Sequence, residues 1–322
     1  MLALRALGLG DFLTAVPALR ALVAAFPDRR CVLAAPGAFV PLLPLAARGF
    51  ELLDVPAFVG GAPPASVLAC RLPRAALGVN LHGRGRESHA LLRAAAPARL
   101  IGFDLPDGPA WDEREHEVAR WCRLLAYYGI PADPADLDIA LPGQPAYDSD
   151  GPTLIHPGAA SAARCWPAQR WVQVARGERT RGREVLLSGS AREAPLAREI
   201  AARAGLPSRA NRAGATGDLA GLARLVAGAG RVVCGDTGVA HLATALRIPS
   251  VVLFGPTDPA CWGPPAERPW HAALWAGRSG DPHAGATDPG LLAITPADVL
   301  RALSALSAPP AERRPAVAPP AR

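Results

Sequence analysis

The feature that most limits the fold of this chain is the regular alternation of short apolar runs with longer segments of helical periodicity. This alternation is typical of parallel βαβ units, because a parallel strand needs a crossover connection that returns the chain to the end of the sheet where the previous strand began. In the first half of the chain, two segments show clear helical periodicity. The apolar runs there predict strands at 2–6, 30–35, 51–54, 76–81 and 99–103, and the periodic segments predict helices at 12–25 and 113–128.

A second α/β series begins at residue 153, after a proline- and aspartate-rich stretch that lacks periodicity. Its strands are predicted at 153–156, 184–188, 231–234 and 250–254, and its helices at 168–179, 193–204, 218–227 and 239–246. The sequence therefore predicts two α/β domains. We place the N-terminal domain at 1–140, a linker at 141–152, the C-terminal domain at 153–307 and a disordered Pro/Ala/Arg tail at 308–322.

Composition excludes several classes of protein. All 34 basic residues are arginine and the net charge is +6, but the arginines are dispersed without interleaved aromatics, which indicates a solvated surface and no nucleic-acid partner. The six cysteines lie far apart without a C-x-x-C pair, so neither a disulfide framework nor a zinc site is expected. The chain starts directly on a strand, and no run of 18 apolar residues follows, so we expect a cytoplasmic protein.

The loop after the first predicted strand carries two glycines and an aspartate, Gly8-Leu9-Gly10-Asp11. A dinucleotide-binding loop would need a third glycine where Leu13 stands, and an acid at the end of the second strand, where there is none. We therefore predict no nicotinamide or other cofactor. Asp11 itself fits two interpretations, a cap on the following helix or a functional carboxylate.

A loop of small residues containing Gly158 and Ala159 follows the first strand of the second series, and Arg164 comes shortly after it. Small residues let a backbone approach a phosphate or a flat base, and a guanidinium can pair with a diphosphate. An ordinary surface arginine would fit the same pattern. This loop alone is thus weak evidence for a ligand site.

The sequence Asp236-Thr237-Gly238 lies between a predicted strand and a predicted helix. A hydroxyl and free backbone N–H groups at a helix N-terminus suit a phosphate anion, and capping by Asp236 or Thr237 would use the same donors. His241 follows one turn later. It could contact a ligand, cap the helix or pack in the interior.

These units, in this order, resemble glycosyltransferase family 9, the heptosyltransferase-like enzymes, up to about residue 305. The resemblance is carried by Leu9-Gly10-Asp11 with Pro17 to Leu22, Asn80 to Arg84 with Ser88, Glu115 to Val118, His156 to Ala159, Trp166 to Trp171, Asp236 to Ala243 and Phe254 to Pro259. Arg164 stands where the family usually has a lysine, and Asn80 where many relatives have aspartate.

The resemblance implies a GT-B architecture, in which two Rossmann-like domains with parallel sheets face a central cleft. It also implies inverting transfer of a sugar, with heptose as a candidate, from a nucleoside-diphosphate donor to a glycan or glycolipid acceptor of the cell envelope. Asp11 would be the general base. The candidate donor and phosphate residues are Gly158, Ala159, Arg164, Asp236, Thr237, Gly238 and His241, and the candidate acceptor residues are Gly10, Arg84 and Arg86.

Other interpretations of single features stay open. Arg84 and Arg86 would meet an anionic acceptor, or they are scattered surface charges. Two D-x-D strings, which begin at Asp136 and Asp148, could hold a cation, but they lie at the linker, so solvated acids and no metal are expected. A nucleotide-sugar epimerase or hydrolase and a non-catalytic nucleotide-sugar-binding protein are alternatives, and a peripheral contact with the inner membrane surface is also open.

Overall fold

The computed structural model describes residues 1–58, 72–144 and 146–310. It contains ten strands, all paired in parallel: β1 Leu2–Leu4, β2 Cys31–Ala35, β3 Phe50–Asp54, β4 Leu77–Asn80, β5 Arg99–Ile101, β6 Thr153–His156, β7 Val185–Leu187, β8 Arg231–Gly235, β9 Ser250–Phe254 and β10 His271–Trp275. The described α-helices are α1 Leu9–Thr14, α2 Val16–Ala25, α3 Leu43–Ala46, α4 Arg86–Ala94, α5 Glu117–Tyr127, α6 Ala168–Thr180, α7 Ala194–Ala204, α8 Leu219–Ala227, α9 Gly238–Ala245, α10 Pro259–Trp262, α11 Pro289–Ala293 and α12 Pro296–Ala305.

The strands form two five-stranded sheets, with the orders β3-β2-β1-β4-β5 and β10-β9-β8-β6-β7. Both are doubly wound orders, the first Rossmann-like and the second flavodoxin-like. Such sheets bind ligands outside the carboxyl ends of the strands where the winding direction reverses, here at β1/β4 and at β6/β8. The predicted architecture of two parallel α/β sheets is confirmed.

The strands form where the sequence has uninterrupted apolar runs, because both faces of a parallel sheet are covered. The residues of β1, β2, β6, β8 and β9 are buried throughout. All nine predicted strands are present, with ends within two residues of the prediction. The tenth, β10, was not predicted; its residues are only partly buried.

Two helix predictions need correction. The helix expected over 12–25 begins at Leu9 and is broken at Ala15 into α1 and α2. Pro17 lies in the first turn of α2, a position that tolerates its missing N–H. The helix expected over 113–128 begins only at Glu117, where the His116 side chain accepts a hydrogen bond from the Val118 N–H as N-cap.

The segment before the predicted linker is fastened to both halves of the chain. The Ile139 N–H donates to the Ala245 carbonyl, and Asp138 pairs with Arg247 and Arg268 at 3.1 and 2.7 Å. Asp136 pairs with Arg20 of α2. The carboxylates of the first D-x-D string are partly exposed, as expected for solvated acids, but they are also ion-paired, which the sequence did not predict. Asp148 and Asp150 are exposed as expected.

The second sheet begins directly after the residues predicted as the linker. One continuous buried apolar cluster includes side chains from both sheets and their helices, so the two halves pack directly against each other. The five cysteines in the described ranges are free, and Cys70 lies outside them. The predicted disordered tail lies outside the described residues from 311 onward, and the domain limits remain predictions.

Candidate active site

Asp11 is the third residue of α1, the helix that follows the carboxyl end of β1 after a short loop. Its Oδ2 accepts a hydrogen bond from the Gly8 N–H at 3.2 Å, so Asp11 caps the helix from inside its first turn and is not the N-cap residue. Its Oδ1 lies 3.6 Å from Nη2 of Arg5 and receives no hydrogen bond from any described residue. The side chain is 28% exposed, so this oxygen can meet a ligand.

Glycines bring the starts of α1 and α9 into contact across the boundary between the two sheets. A Cβ at Gly10 would lie 2.8 Å from Cδ2 of His241, and a Cβ at Gly238 would lie 2.8 Å from Cβ of Leu9. Only glycine permits this approach without displacement. The loop that carries Asp11 therefore faces the Asp236-Thr237-Gly238 turn of the opposite domain.

The turn before α9 offers unused hydrogen-bond donors. Thr237 is the N-cap residue of α9, but its side chain makes no capping bond, and Asp236 does not cap the helix either. The Thr237 Oγ1 and the Nε of Arg164 are buried without a partner within the described part of the chain. Buried polar groups are nearly always hydrogen-bonded, so two unused ones beside a helix N-terminus indicate a place for an anion.

Arg164 reaches this turn from the small-residue loop after β6. Its Nη1 donates to the Asp236 carbonyl at 3.2 Å and lies 3.6 Å from the Asp236 carboxylate. These contacts fix the guanidinium in place, and the side chain is only 22% exposed. The interpretation of Arg164 as an ordinary surface arginine is therefore wrong. Ala159 lies partly exposed in the same loop, and Gly158 is buried at its start.

His241 lies between carboxylates of the two domains. Burial lowers the pKa of His241 below its ordinary value, against the opposing charges of Asp236 and Asp11. The imidazole is therefore neutral at pH 7. Its ring packs edge-on against Trp262, with centroids 6.0 Å apart.

A cavity of about 590 Å³ opens beside the contact between Leu9 and Gly238. Leu9 and Ala38 line it from the first domain. Most of its wall comes from the second domain, including His156, Gly189, Ser190, Glu193, Thr216, Asp218 and Gly238. Its volume lies within the range of small-molecule sites, and it lies at the carboxyl ends of β6 and β7.

Glu193 is a site residue that the sequence reasoning missed. Its Oε2 accepts from the Ser190 N–H at 2.6 Å, and its Oε1 occupies the space where a Cβ of residue 158 would be. Gly158 therefore makes room for the Glu193 carboxylate at the cavity wall. The available signal was the Ser-x-x-Glu spacing of Ser190 and Glu193, which is typical of a helix start.

The remaining acceptor candidates lie apart from this cavity. Arg84 pairs with Glu113 at 2.6 Å and approaches Asp104 at 4.0 Å, and its side chain is half exposed. Arg86 is the exposed first residue of α4. Neither lines the cavity, and their roles stay predictions.

Asn80, the departure from the family pattern, has a local role. Its amide nitrogen donates to the Ser88 hydroxyl at 2.9 Å, and its amide oxygen accepts from the His82 N–H at 3.0 Å. The side chain is fully buried.

Across the described ranges, no group of three His, Cys, Asp or Glu side chains is arranged to hold a metal ion. None of the helices in those ranges combines the length and the apolar character needed to cross a membrane.

Comparison with known proteins gives a consistent result. The model of glycosyltransferase family 9 (heptosyltransferase) matches residues 109–284, more than half of the chain. Lipopolysaccharide heptosyltransferase 1 of Pseudomonas aeruginosa is 35% identical over 159 residues, which are 48% of this chain and 43% of that protein. The matched region thus spans somewhat less than half the length of this curated relative.

Solved structures show the fold over nearly the whole chain. The Escherichia coli ADP-heptose lipopolysaccharide heptosyltransferase II has a TM-score of 0.71 at 23% identity, and the alignment covers 94% of this chain and 97% of that chain. A dodecameric iron-containing glycosyltransferase from enterotoxigenic E. coli has a TM-score of 0.57 at 16% identity, with 94% and 74% covered. At these identities the likeness establishes the GT-B architecture alone.

Proposed function

The chain belongs to glycosyltransferase family 9, and on that basis we propose that it transfers a sugar, with inversion, from a nucleoside-diphosphate donor to a hydroxyl of a cell-envelope glycan. One observation carries the proposal. The partly exposed carboxylate of Asp11 lies in a helix start that contacts, through Gly10 and Gly238, the turn of the other domain where the unused donors of Thr237 and Arg164 lie. A carboxylate and an anion site on opposite walls are what a single displacement at an anomeric carbon requires.

In the proposed reaction, Oδ1 of Asp11 accepts the proton of an acceptor hydroxyl as that oxygen attacks the anomeric carbon. The bond from this carbon to the diphosphate oxygen breaks on the opposite face. The leaving diphosphate gains negative charge, which the Arg164 guanidinium, the Thr237 hydroxyl and the backbone at Gly238 would stabilise. One carboxylate suffices, because inversion in one step forms no covalent intermediate with the protein.

We propose that the nucleoside lies in the 590 Å³ cavity, with Glu193 and Asp218 available to accept hydrogen bonds from ribose hydroxyls. The neutral His241 would lie beside the diphosphate. ADP-heptose is the proposed donor and lipopolysaccharide the proposed acceptor, since the relatives of known name are heptosyltransferases of this lipid. A glycolipid acceptor would bring the protein to a membrane surface, and Gly10, Arg84 and Arg86 remain the proposed acceptor residues.

We also propose that the reaction needs no metal ion, because Arg164 and the start of α9 supply the positive potential that a divalent cation would otherwise provide. An iron-containing protein is among the structural neighbours. Transfer should therefore be assayed both after treatment with a chelator and with iron added. Equal rates would support the proposal, and activity that requires iron would overturn it.

The first experiment replaces Asp11 by asparagine and measures heptose transfer from ADP-heptose to lipopolysaccharide that lacks heptose, by mass spectrometry of the acceptor. We expect transfer to fall by about 10²- to 10⁴-fold, as for loss of a general base, while ADP still binds. Asp298→Asn is the matched control, because Asp298 also caps from the third position of a helix, accepting from the Thr295 N–H at 2.9 Å. Undiminished turnover in the Asp11 variant would remove this residue from the mechanism.

The second experiment tests the anion site by calorimetry with ADP. Arg164→Ala should weaken ADP binding about 10- to 100-fold, because a charge-assisted contact is lost. Arg170→Ala, which removes an arginine that bonds the Leu292 and Ile294 carbonyls, should leave ADP affinity unchanged. Donor turnover without any acceptor would instead favour the epimerase or hydrolase alternative.

A further inference from the structure

Arg5 is a fully buried cation beneath the loop that carries Asp11. Its Nε donates to the Asp11 carbonyl at 2.8 Å, and its Nη1 donates to the Leu81 carbonyl at 2.6 Å. Its guanidinium also lies 4.7 Å from the ring centre of Trp121. Burying a guanidinium is costly unless its charge and its donors are paired, so the partners of Arg5 define what it does.

The Nη2 of Arg5 makes the informative contacts. It donates to Thr14 Oγ1 at 3.2 Å and to Glu117 Oε1 at 2.9 Å, whereas Asp11 Oδ1 lies 3.6 Å away. This nitrogen carries two hydrogens, and Thr14 and Glu117 use both. Asp11 Oδ1 therefore feels the positive charge of Arg5 but receives no hydrogen bond from it.

Glu117 is the counter-charge of this cation. It is 3% exposed, accepts from Trp121 Nε1 at 2.9 Å and pairs with Arg120. Burial alone would raise the pKa of the Glu117 carboxyl, but the charges of Arg5 and Arg120 hold it below its ordinary value. Glu117 is therefore ionised at neutral pH and offsets the positive charge beside Asp11.

We propose that Glu117 is a positioning residue, which keeps Arg5 turned away from Asp11 Oδ1 and offsets its charge, so that this oxygen stays an effective proton acceptor. The inference rests on the proposed role of Asp11 as the base. A carboxylate that accepts a hydrogen bond from a guanidinium holds a proton less well and is a weaker base. Arg5, in turn, fixes the loop through the Asp11 carbonyl.

Several charged or titratable groups lie around Asp11 and Arg5. Arg5 itself comes from the loop after β1, His116, Glu117 and Arg120 come from the start of α5, and His241 and Asp236 come from the opposite domain. Of these, only Arg5 is recorded in an ion pair with Asp11 within the described residues. Changing the pairing of Arg5 should therefore have the largest effect.

The test is Glu117→Gln, read out by the titration of the Asp11 carboxyl carbon in ¹³C-aspartate-labelled protein, with the resonance assigned by its loss in Asp11→Asn. We expect the titration midpoint to move about one unit lower than in the wild type, as expected when a nearby negative charge is lost. The acid limb of the pH–rate profile should move in the same direction. The kcat with ADP-heptose should fall about three- to tenfold, with a smaller change in KM.

Glu178→Gln is the matched control. Glu178 is also fully buried between two arginines, Arg181 and Arg231, but it lies in the second domain. The Glu178→Gln variant should lose about as much stability as Glu117→Gln, but the titration midpoint of Asp11 should stay unchanged. A second variant, Thr14→Val, frees one hydrogen of Arg5 Nη2 with little change of shape and should also lower the midpoint.

An unmoved midpoint in both Glu117→Gln and Thr14→Val, or an equal movement in Glu178→Gln, would overturn the proposal. Because the carboxyl titration needs no substrate, it tests Glu117 even if the protein fails to transfer heptose. Conversely, loss of transfer in Asp11→Asn together with unmoved midpoints would retain the base and reject only the role of Glu117.

Discussion

Replacing Gly10 by alanine tests whether the two domains meet at the starts of α1 and α9. The added Cβ would lie 2.8 Å from Cδ2 and 3.3 Å from Nε2 of His241. Ordinary contact begins near 3.4 Å, so the imidazole or the helix start must move by about 0.6 Å. Such crowding costs about 1–3 kcal/mol, whereas alanine gains up to about 1 kcal/mol over glycine in a helix.

The single variant therefore mixes two opposing effects, and a double-mutant cycle separates them. Removing the ring with His241→Ala abolishes the crowding, so alanine at residue 10 should then be neutral or stabilising. We expect a coupling of about 1–3 kcal/mol in the free energy of unfolding, measured by urea titration. The control is Gly83→Ala, whose added Cβ would have no atom within 4 Å and should combine additively with His241→Ala.

The result that refutes this reasoning is additivity of Gly10→Ala and His241→Ala within about 0.5 kcal/mol. The helix starts would then be apart in solution. Asp11 would no longer face the anion donors, and the proposed single-displacement site would lose its geometric basis.

Three further outcomes are expected. Asp138→Ala should lower the free energy of unfolding by about 1 kcal/mol or less, because the carboxylate is 42% exposed. This loss should be smaller in high salt, and a loss that does not depend on salt would argue against the ion pair with Arg268. Cys234, whose pKa burial raises to about 12, should resist alkylation at pH 8 while Cys261, which is partly exposed, reacts; equal labelling by mass spectrometry would contradict the burial. Burial lowers the pKa of His271 to about 3, so between pH 6.5 and 3 the unfolded chain binds a proton at this residue that the folded chain does not. The free energy of unfolding should therefore decline as the pH falls through this range. His271→Gln should reduce this pH dependence, measured by urea titration at several pH values.

The sequence predicted most of the sheet because strands of a parallel sheet are buried on both faces, and their apolar runs are visible without an alignment. Ser250–Phe254 is such a run, and its ends agree with the prediction. The strand His271–Trp275 was not predicted, because it is an edge strand with partly exposed residues and its sequence shows no strong apolar pattern. The single helix expected over 12–25 was wrong because Phe12 and Leu13 continue the apolar periodicity across the break at Ala15.

The site was only partly predictable for a different reason. Asp11, Thr237 and His241 follow strand ends, and topology brings strand ends together, so their neighbourhood could be foreseen. The pairing of Arg5 with Glu117 could not, because it joins residues 112 positions apart. Glu117 lies in the segment Glu115 to Val118 that carries the resemblance, but nothing in that segment indicates a partner at Arg5. Buried charges are specified by their partners, and partners of this kind exist only in the folded chain.

Each wall of the candidate site pairs one arginine with one carboxylate beside a helix start. In the first domain Arg5 is matched by Glu117, which leaves Oδ1 of Asp11 without a hydrogen bond. In the second, Arg164 is held by Asp236, while its Nε and the Thr237 hydroxyl stay unused. The pairing compensates the arginines without consuming the groups that a reaction would need. A carboxylate that can take a proton and donors that can hold an anion thus lie on opposite sides of the contact between Gly10 and Gly238, which is the arrangement that the proposed displacement needs.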